Sequence, residues 1–110
     1  MSTETIILKA ARALLSKAEN WCQHDYAKTK DGYYCGWNSP FATQFCIEGA
    51  IYRQGQNLEW EHTDKLIKKL NDRIYEKRHH DAPYSDVTGF NDTSTYEDVI
   101  QFLDDCIRTI

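Results

Sequence analysis

No apolar run in this sequence approaches the ~18 residues that a membrane span needs. Met1-Ser2-Thr3-Glu4 has neither the basic start nor the apolar stretch of a signal peptide. Positive charge is also in short supply: 13 Lys and Arg against 17 Asp and Glu leave a formal net charge of −4. The broad basic footprint of a nucleic-acid binder is therefore missing. There is no internal repeat, low-complexity tract, phosphate-binding loop or paired C-x-x-C spacing. These absences disfavour membrane and nucleic-acid partners and predict a cytoplasmic domain with reduced thiols. Large aliphatics are sparse too, since Leu, Ile, Val and Phe make up only 22 of 110 residues, near the level at which disorder becomes a concern. Ten Trp and Tyr residues supply the remaining material for a core, so residues 1–110 are expected to form one folded domain.

Helical periodicity dominates the chain. Ile7, Ala11, Leu14, Ala18 and Trp21 recur at intervals of three and four, predicting a first helix from Thr3 to about Asn20, capped by Ser2 or Thr3. The period disappears from Cys22 to Asn38. There Asp31-Gly32 separates Tyr26–Lys30 from Tyr33–Trp37, which suits a short hairpin with a type I′ turn. Ser39-Pro40 predicts a second helix running to about Arg53 and closed by Gln54-Gly55, with Ala42, Phe45, Cys46, Gly49 and Ala50 inside. The small residues among these would permit close approach to another helix. Thr63 is expected to cap a third helix over Asp64–Arg78, burying Leu66, Ile67, Leu70 and Ile74. Asp81–Thr93 reads as an irregular loop. Ser94 or Thr95, with a Ser94-x-x-Glu97 capping box, opens a last helix whose stripe is Tyr96, Val99, Ile100, Leu103, Cys106, Ile107 and Ile110. The fold class expected is all-α, a compact bundle of about four helices with a small β-hairpin around Asp31-Gly32.

Several residues could carry chemistry. Cys46 is the obvious nucleophile, with His24, His62, His79 or His80 as base and Asn91 or Asp92 as orienting group. A helix beginning at Pro40 would leave Cys46 almost two turns in, where the dipole has faded, so packing against Gly49 and Ala50 is its default role. Only a start near Thr43 would restore the thiol to the first turn. Cys22-x-His24 with Cys35 and Cys46 offers four residues of zinc-ligand type without zinc-site spacing, so no metal and no cofactor is expected. The run Lys65, Lys68, Lys69, Arg73, Lys77, Arg78 is interleaved with Asp64, Asp72 and Glu76 and reads as a solvated helix face. Asn91 and Asp92 suit an Asx turn at a helix entrance, or a ligand site shared with aromatic loop residues.

Trp21-x-Gln23, Ala27, Asp31-Gly32, Ala42, Phe45-Cys46-x-x-Gly49-Ala50, Asn91-Asp92, Thr95 and Glu97-Asp98-Val99-Ile100 occur in an order that resembles a family of small bacterial and bacteriophage proteins of unknown function. The resemblance implies a small helical cytoplasmic protein and brings no reaction or ligand. The function expected is a non-enzymatic module that binds a protein partner or itself, a phage-encoded accessory protein or inhibitor of a host defence protein being the concrete form. Tyr26, Tyr33, Tyr34, Trp37, Asn91 and Asp92 are its expected binding residues, because aromatic rings anchor interfaces. The competing readings are an acyl-transfer or hydrolytic enzyme using Cys46, His24, Asn91 and Asp92, and a small-ligand sequestering protein.

Overall fold

Ser2 caps the first helix, its Oγ accepting from Thr5 N at 3.1 Å, and Glu4 sits in the first turn where a carboxylate suits the dipole. In the computed structural model, which describes residues 1–110, this helix is α1, Thr3–Leu14. Expected to reach Asn20, it stops short, and Ala18–Asn20 forms a separate 3₁₀ turn with Ala18 exposed. Leu8 and Leu15 are fully buried beside Ile7 and Ala11, so the inner face is broader than the expected stripe.

The hairpin exists: β1, Ala27–Thr29, pairs antiparallel with β2, Tyr34–Cys35. Its turn is not type I′, because Gly32 alone has positive φ (88°) while Asp31 does not. Gly32 N donates to Thr29 O and Thr29 N to Tyr33 O, a three-residue connection with glycine at the left-handed position.

The largest departure from an all-α fold lies between Ser39 and Cys46. No helix starts at Pro40; Ser39 Oγ instead accepts from Phe41 N in a local turn. Residues Ala42–Phe45 form β3, which pairs with β1 on the side opposite β2, giving an antiparallel sheet of order β2-β1-β3. A register shift between Lys28 and Thr29 lets both Ala42 and Phe45 point into the core. A regular strand would place residues three apart on opposite faces, so this irregularity reproduces helical spacing in a strand.

Helix α2 is Ile47–Gly55, and Cys46 is its N-cap rather than a residue two turns in. Gly55 lies inside that helix without positive φ, where a Cβ would come within 2.3 Å of the Thr63 methyl. Helix α3 runs Trp60–Lys77, so Thr63 is internal, its hydroxyl donating to Trp60 O, and it does not cap. Leu66, Ile67, Leu70 and Ile74 are buried as expected. The expected loop contains α4, Val87–Thr93, capped by Asp86. Thr95 caps α5, Tyr96–Thr109, by accepting from Asp98 N, so the Ser94 capping box does not form.

The fold is thus five helices and a three-stranded sheet, with α1 packed against α2, α3 and α5. One core joins Leu8, Phe45, Ile51, Leu70, Val99 and Leu103. No helix is long and apolar enough to cross a membrane.

Candidate functional site

The site is organised by Asn91, a polar residue only 1% exposed. Its Oδ1 accepts from Trp21 Nε1 at 2.8 Å and from Ile47 N at 3.1 Å, so it satisfies an amide that the first turn of α2 would otherwise leave unpaired. Its Nδ2 donates to Cys22 O at 3.1 Å and to Asp92 Oδ1 at 3.0 Å. All the capacity of the amide is used, and neither an Asx turn nor a ligand contact is its role. Asn91 therefore ties the Trp21–His24 loop, α2 and α4 together from behind the site.

In front of it lies a cleft of about 280 Å³ lined by His24, Asp25, Tyr26, Tyr34, Cys46, Thr88 and Asp92. Asp92 Oδ1 also accepts from His24 N at 2.8 Å, whereas its Oδ2 has only His24 Nδ1 nearby, at 3.9 Å. His24 has φ of 74°, the left-handed region, so the chain turns sharply there to carry Asp25 and Tyr26 along the rim. Gly49 of α2 lets the chain at Tyr26 come close: a Cβ there would stand 1.9 Å from Tyr26 O. Gly49 thus admits the backbone at Tyr26, while Gly55 of the same helix meets Thr63 of α3 and Ile7 of α1.

Cys46 Sγ accepts from Gly49 N at 3.2 Å, the geometry of an N-cap. Burial nevertheless pushes its thiol up to about 12, outweighing the stabilising Gly49 amide. Cys22, whose Sγ donates to Asp25 O, is pushed up to about 11, again chiefly by burial. Neither thiol is a neutral-pH thiolate, and no hydrogen bond joins Cys46 to His24. All four cysteines are unpaired. Cys22, His24, Cys35 and Cys46 do not bring their ligand atoms together; the one such convergence is the exposed His79, His80 and Asp81.

Behind the cleft, burial raises the Glu48 carboxyl; Thr88 opposes that shift, while the charges of Asp86 and Asp92 add to it. Tyr26 is likewise raised, by burial first and then by Glu48. Lys28 Nζ lies 3.8 Å from Asp25 Oδ2.

Of the residues expected to act, Tyr26, Tyr34, His24, Cys46 and Asp92 share this cleft. Trp37 does not; it is half-buried, stacked on Tyr52 at 5.6 Å. Tyr33 is 73% exposed and lies with Phe41 on the outer side of the hairpin. His62 sits against Glu4, and His79 and His80 are exposed beyond α3, all apart from Cys46. Asp25 and Thr88 also line the cleft and were not expected in a site; Thr88 carries no signal within an apparent loop.

A family model described as "Family of unknown function (DUF6197)" matches residues 1–109. No curated protein and no solved structure matches the chain.

Proposed function

We propose that this chain, which belongs to the DUF6197 family of unknown function, is a non-enzymatic binding protein whose cleft takes an organic cation, an alkylammonium or guanidinium group. The observation that carries this reading is that two phenol rings, Tyr26 and Tyr34, and two carboxylates, Asp25 and Asp92, line the same cleft. Aromatic walls attract cations through the ring quadrupole, and a carboxylate supplies the matching charge. Asp92 Oδ2 accepts no hydrogen bond within the chain, so one oxygen is free for a donor. Glu48 and Asp86 add negative potential, with Lys28 the only amine among these groups. About 280 Å³ is near the lower end of small-molecule sites, room for a head group rather than a large ligand.

The cation is carried either by a free small molecule or by a Lys or Arg side chain of a protein partner. Exposed Tyr33 and Tyr34 on the hairpin, with exposed Phe41 just before β3, support the second source, since they extend an apolar surface beyond the cleft. A bacterial or bacteriophage setting, a cytoplasmic location and action on a host defence protein belong to this proposal, supported by the order of the Trp21, Cys46-x-x-Gly49-Ala50 and Asn91-Asp92 blocks. Cys46, His24 and Asp92 sharing a cleft also supports a thiol enzyme, but a thiol held protonated by burial makes a poor nucleophile.

The test is titration of the folded protein, followed by tyrosine fluorescence and amide chemical shifts, with butylammonium, butylguanidinium, butyrate and a short arginine-containing peptide. Saturable binding of the cations, lost in Tyr34→Ala and Asp25→Asn, is expected, with butyrate inert. Tighter binding of the peptide would assign the cation to a partner protein. Failure of every cation to saturate by about 10 mM would refute the reading.

A further inference from the structure

The basic run on α3 plays no part in that cleft, and the fold divides it. Lys68 pairs with Asp72 and Lys69 with Glu4, which makes them ordinary surface cations. Arg73, Lys77 and Arg78 instead have no carboxylate partner within 4.0 Å, and all three line a second cleft of about 500 Å³ between α3, α4 and α5. Two acids, Asp98 and Asp105, share that lining, but Asp105 is already engaged by Arg108 and Gln101. One uncommitted carboxylate therefore faces three cations that lack a carboxylate partner, Arg78 being held over the Tyr75 ring at 4.6 Å and Arg73 beside Cys106.

A buried polar atom supplies the second observation. Arg78 Nε is shielded from solvent and has no acceptor. Buried donors are almost always paired, so this unpaired one, on a half-buried side chain that borders the cleft, leaves the guanidinium with unused donor capacity. The apolar side of the cleft is equally defined: Tyr84 packs edge-on to Phe90 at 5.3 Å, and Phe90 meets Phe102 at 5.2 Å. Ser94 adds a hydroxyl to the lining.

We infer that this second cleft binds an organic oxyanion, with a phosphate-type head group held by Arg73, Lys77 and Arg78 and a planar apolar body resting against Tyr84, Phe90 and Phe102. Guanidinium groups present forked donors that match phosphate oxygens, and Arg73 and Arg78 both border the cleft. A compact ligand is required, because an acidic protein with two carboxylates in the lining repels an extended polyanion. The site stands apart from the organic-cation cleft: the two share no lining residue, and α4 separates them, turning Thr88 and Asp92 to one and Phe90 and Thr93 to the other.

Calorimetric titration at about 150 mM salt with phenyl phosphate, inorganic phosphate and benzylammonium tests the assignment. Phenyl phosphate is expected to saturate and to bind about tenfold tighter than inorganic phosphate. Lys77→Gln, at an exposed position that leaves the core intact, is expected to weaken it about tenfold, and Arg73→Gln likewise. Lys68→Gln, outside the cleft, should change nothing. Absence of saturation by about 10 mM, equal losses in Lys68→Gln and Lys77→Gln, or equal affinity for benzylammonium would each overturn the proposal. Phenyl phosphate binding no tighter than inorganic phosphate would overturn the role given to the rings.

Discussion

Replacing Asn91 by alanine removes one side chain but strips four groups of a partner: Trp21 Nε1, Ile47 N, Cys22 O and Asp92 Oδ1. Asp92 Oδ1 keeps the His24 amide and reaches solvent, so it contributes little. The remaining three lie at or near the buried hub, and an unsatisfied buried donor or acceptor costs about 1–3 kcal/mol. Allowing for relaxation and water entry into the space left behind, the sum is roughly 3–6 kcal/mol, which rivals the whole stability of a small domain. Asn91→Ala should therefore show a large fall in urea midpoint, or fail to fold at 37 °C, although it removes no apolar area. Asn91→Asp sharpens the test. It preserves the shape and the two acceptor contacts, but turns a charged oxygen toward Cys22 O and Asp92. The new carboxyl is then protonated more readily in the folded than in the unfolded state. Its deficit is full at neutral pH and shrinks as pH falls through the raised folded value. The assay is urea unfolding followed by Trp21-sensitive fluorescence at pH 7 and at about pH 5, with the indole N–H resonance as local probe. A loss under about 1 kcal/mol in Asn91→Ala, with the indole resonance unmoved, would refute the view that this amide holds three segments together.

Other substitutions test the walls of the cleft. Cys46→Ala should cost about 1 kcal/mol, and labelling of the wild-type thiol at pH 7 should be slow until the protein unfolds, because burial pushes it up to about 12. His24→Gly should be neutral or stabilising by up to about 1 kcal/mol in thermal unfolding, since it relieves a left-handed backbone and loses only a 3.9 Å pairing with Asp92. Gly49→Ala should cost about 3 kcal/mol or more, as its methyl would meet Tyr26 O, and the Tyr26 amide resonance should shift. Burial holds the Glu48 carboxyl above its ordinary value, so the folded state binds its proton more tightly and the charged form costs stability. Glu48→Gln should raise the urea midpoint at pH 7, with the gain fading as pH falls through the raised value and gone near pH 4 or about there.

Helices whose inner face is a continuous stripe were legible in sequence. Leu66, Ile67, Leu70 and Ile74, and Val99, Leu103 and Cys106, are buried where periodicity places them. The errors have specific causes. Ala42, Phe45, Cys46, Gly49 and Ala50 look like one helical face, yet the first two belong to a strand whose shifted register imitates the period. Thr63 looks like a cap because its type suits one, but Glu59 begins α3 without any side-chain cap. Val87–Thr93 contains Gly89 and no long apolar stripe, so a seven-residue helix stabilised by Asp86 and by tertiary burial leaves little trace in a local window.

The first cleft gathers where local sequence signals are weakest. Rigid α1, α3 and α5 are readable because each buries its own stripe, but none of them contributes a residue to the first cleft. That cleft is assembled from a left-handed turn at His24, the first strand's approach, a hairpin ring, a helix cap and α4. Such pieces are placed by long-range contacts: Trp21 and Cys22 meet Asn91 across about seventy residues, and Tyr26 meets Gly49. Only α4 borders both clefts, and its buried Asn91, with Asp92 beside it, fastens it to the rest of the first one. The short helix that sequence reads as loop is thus the element on which both proposed sites depend. Loosening Asn91 should therefore disturb cation binding in the first cleft more than phosphate binding in the second, where Arg73, Lys77 and Arg78 are carried by α3 and its C-terminal end.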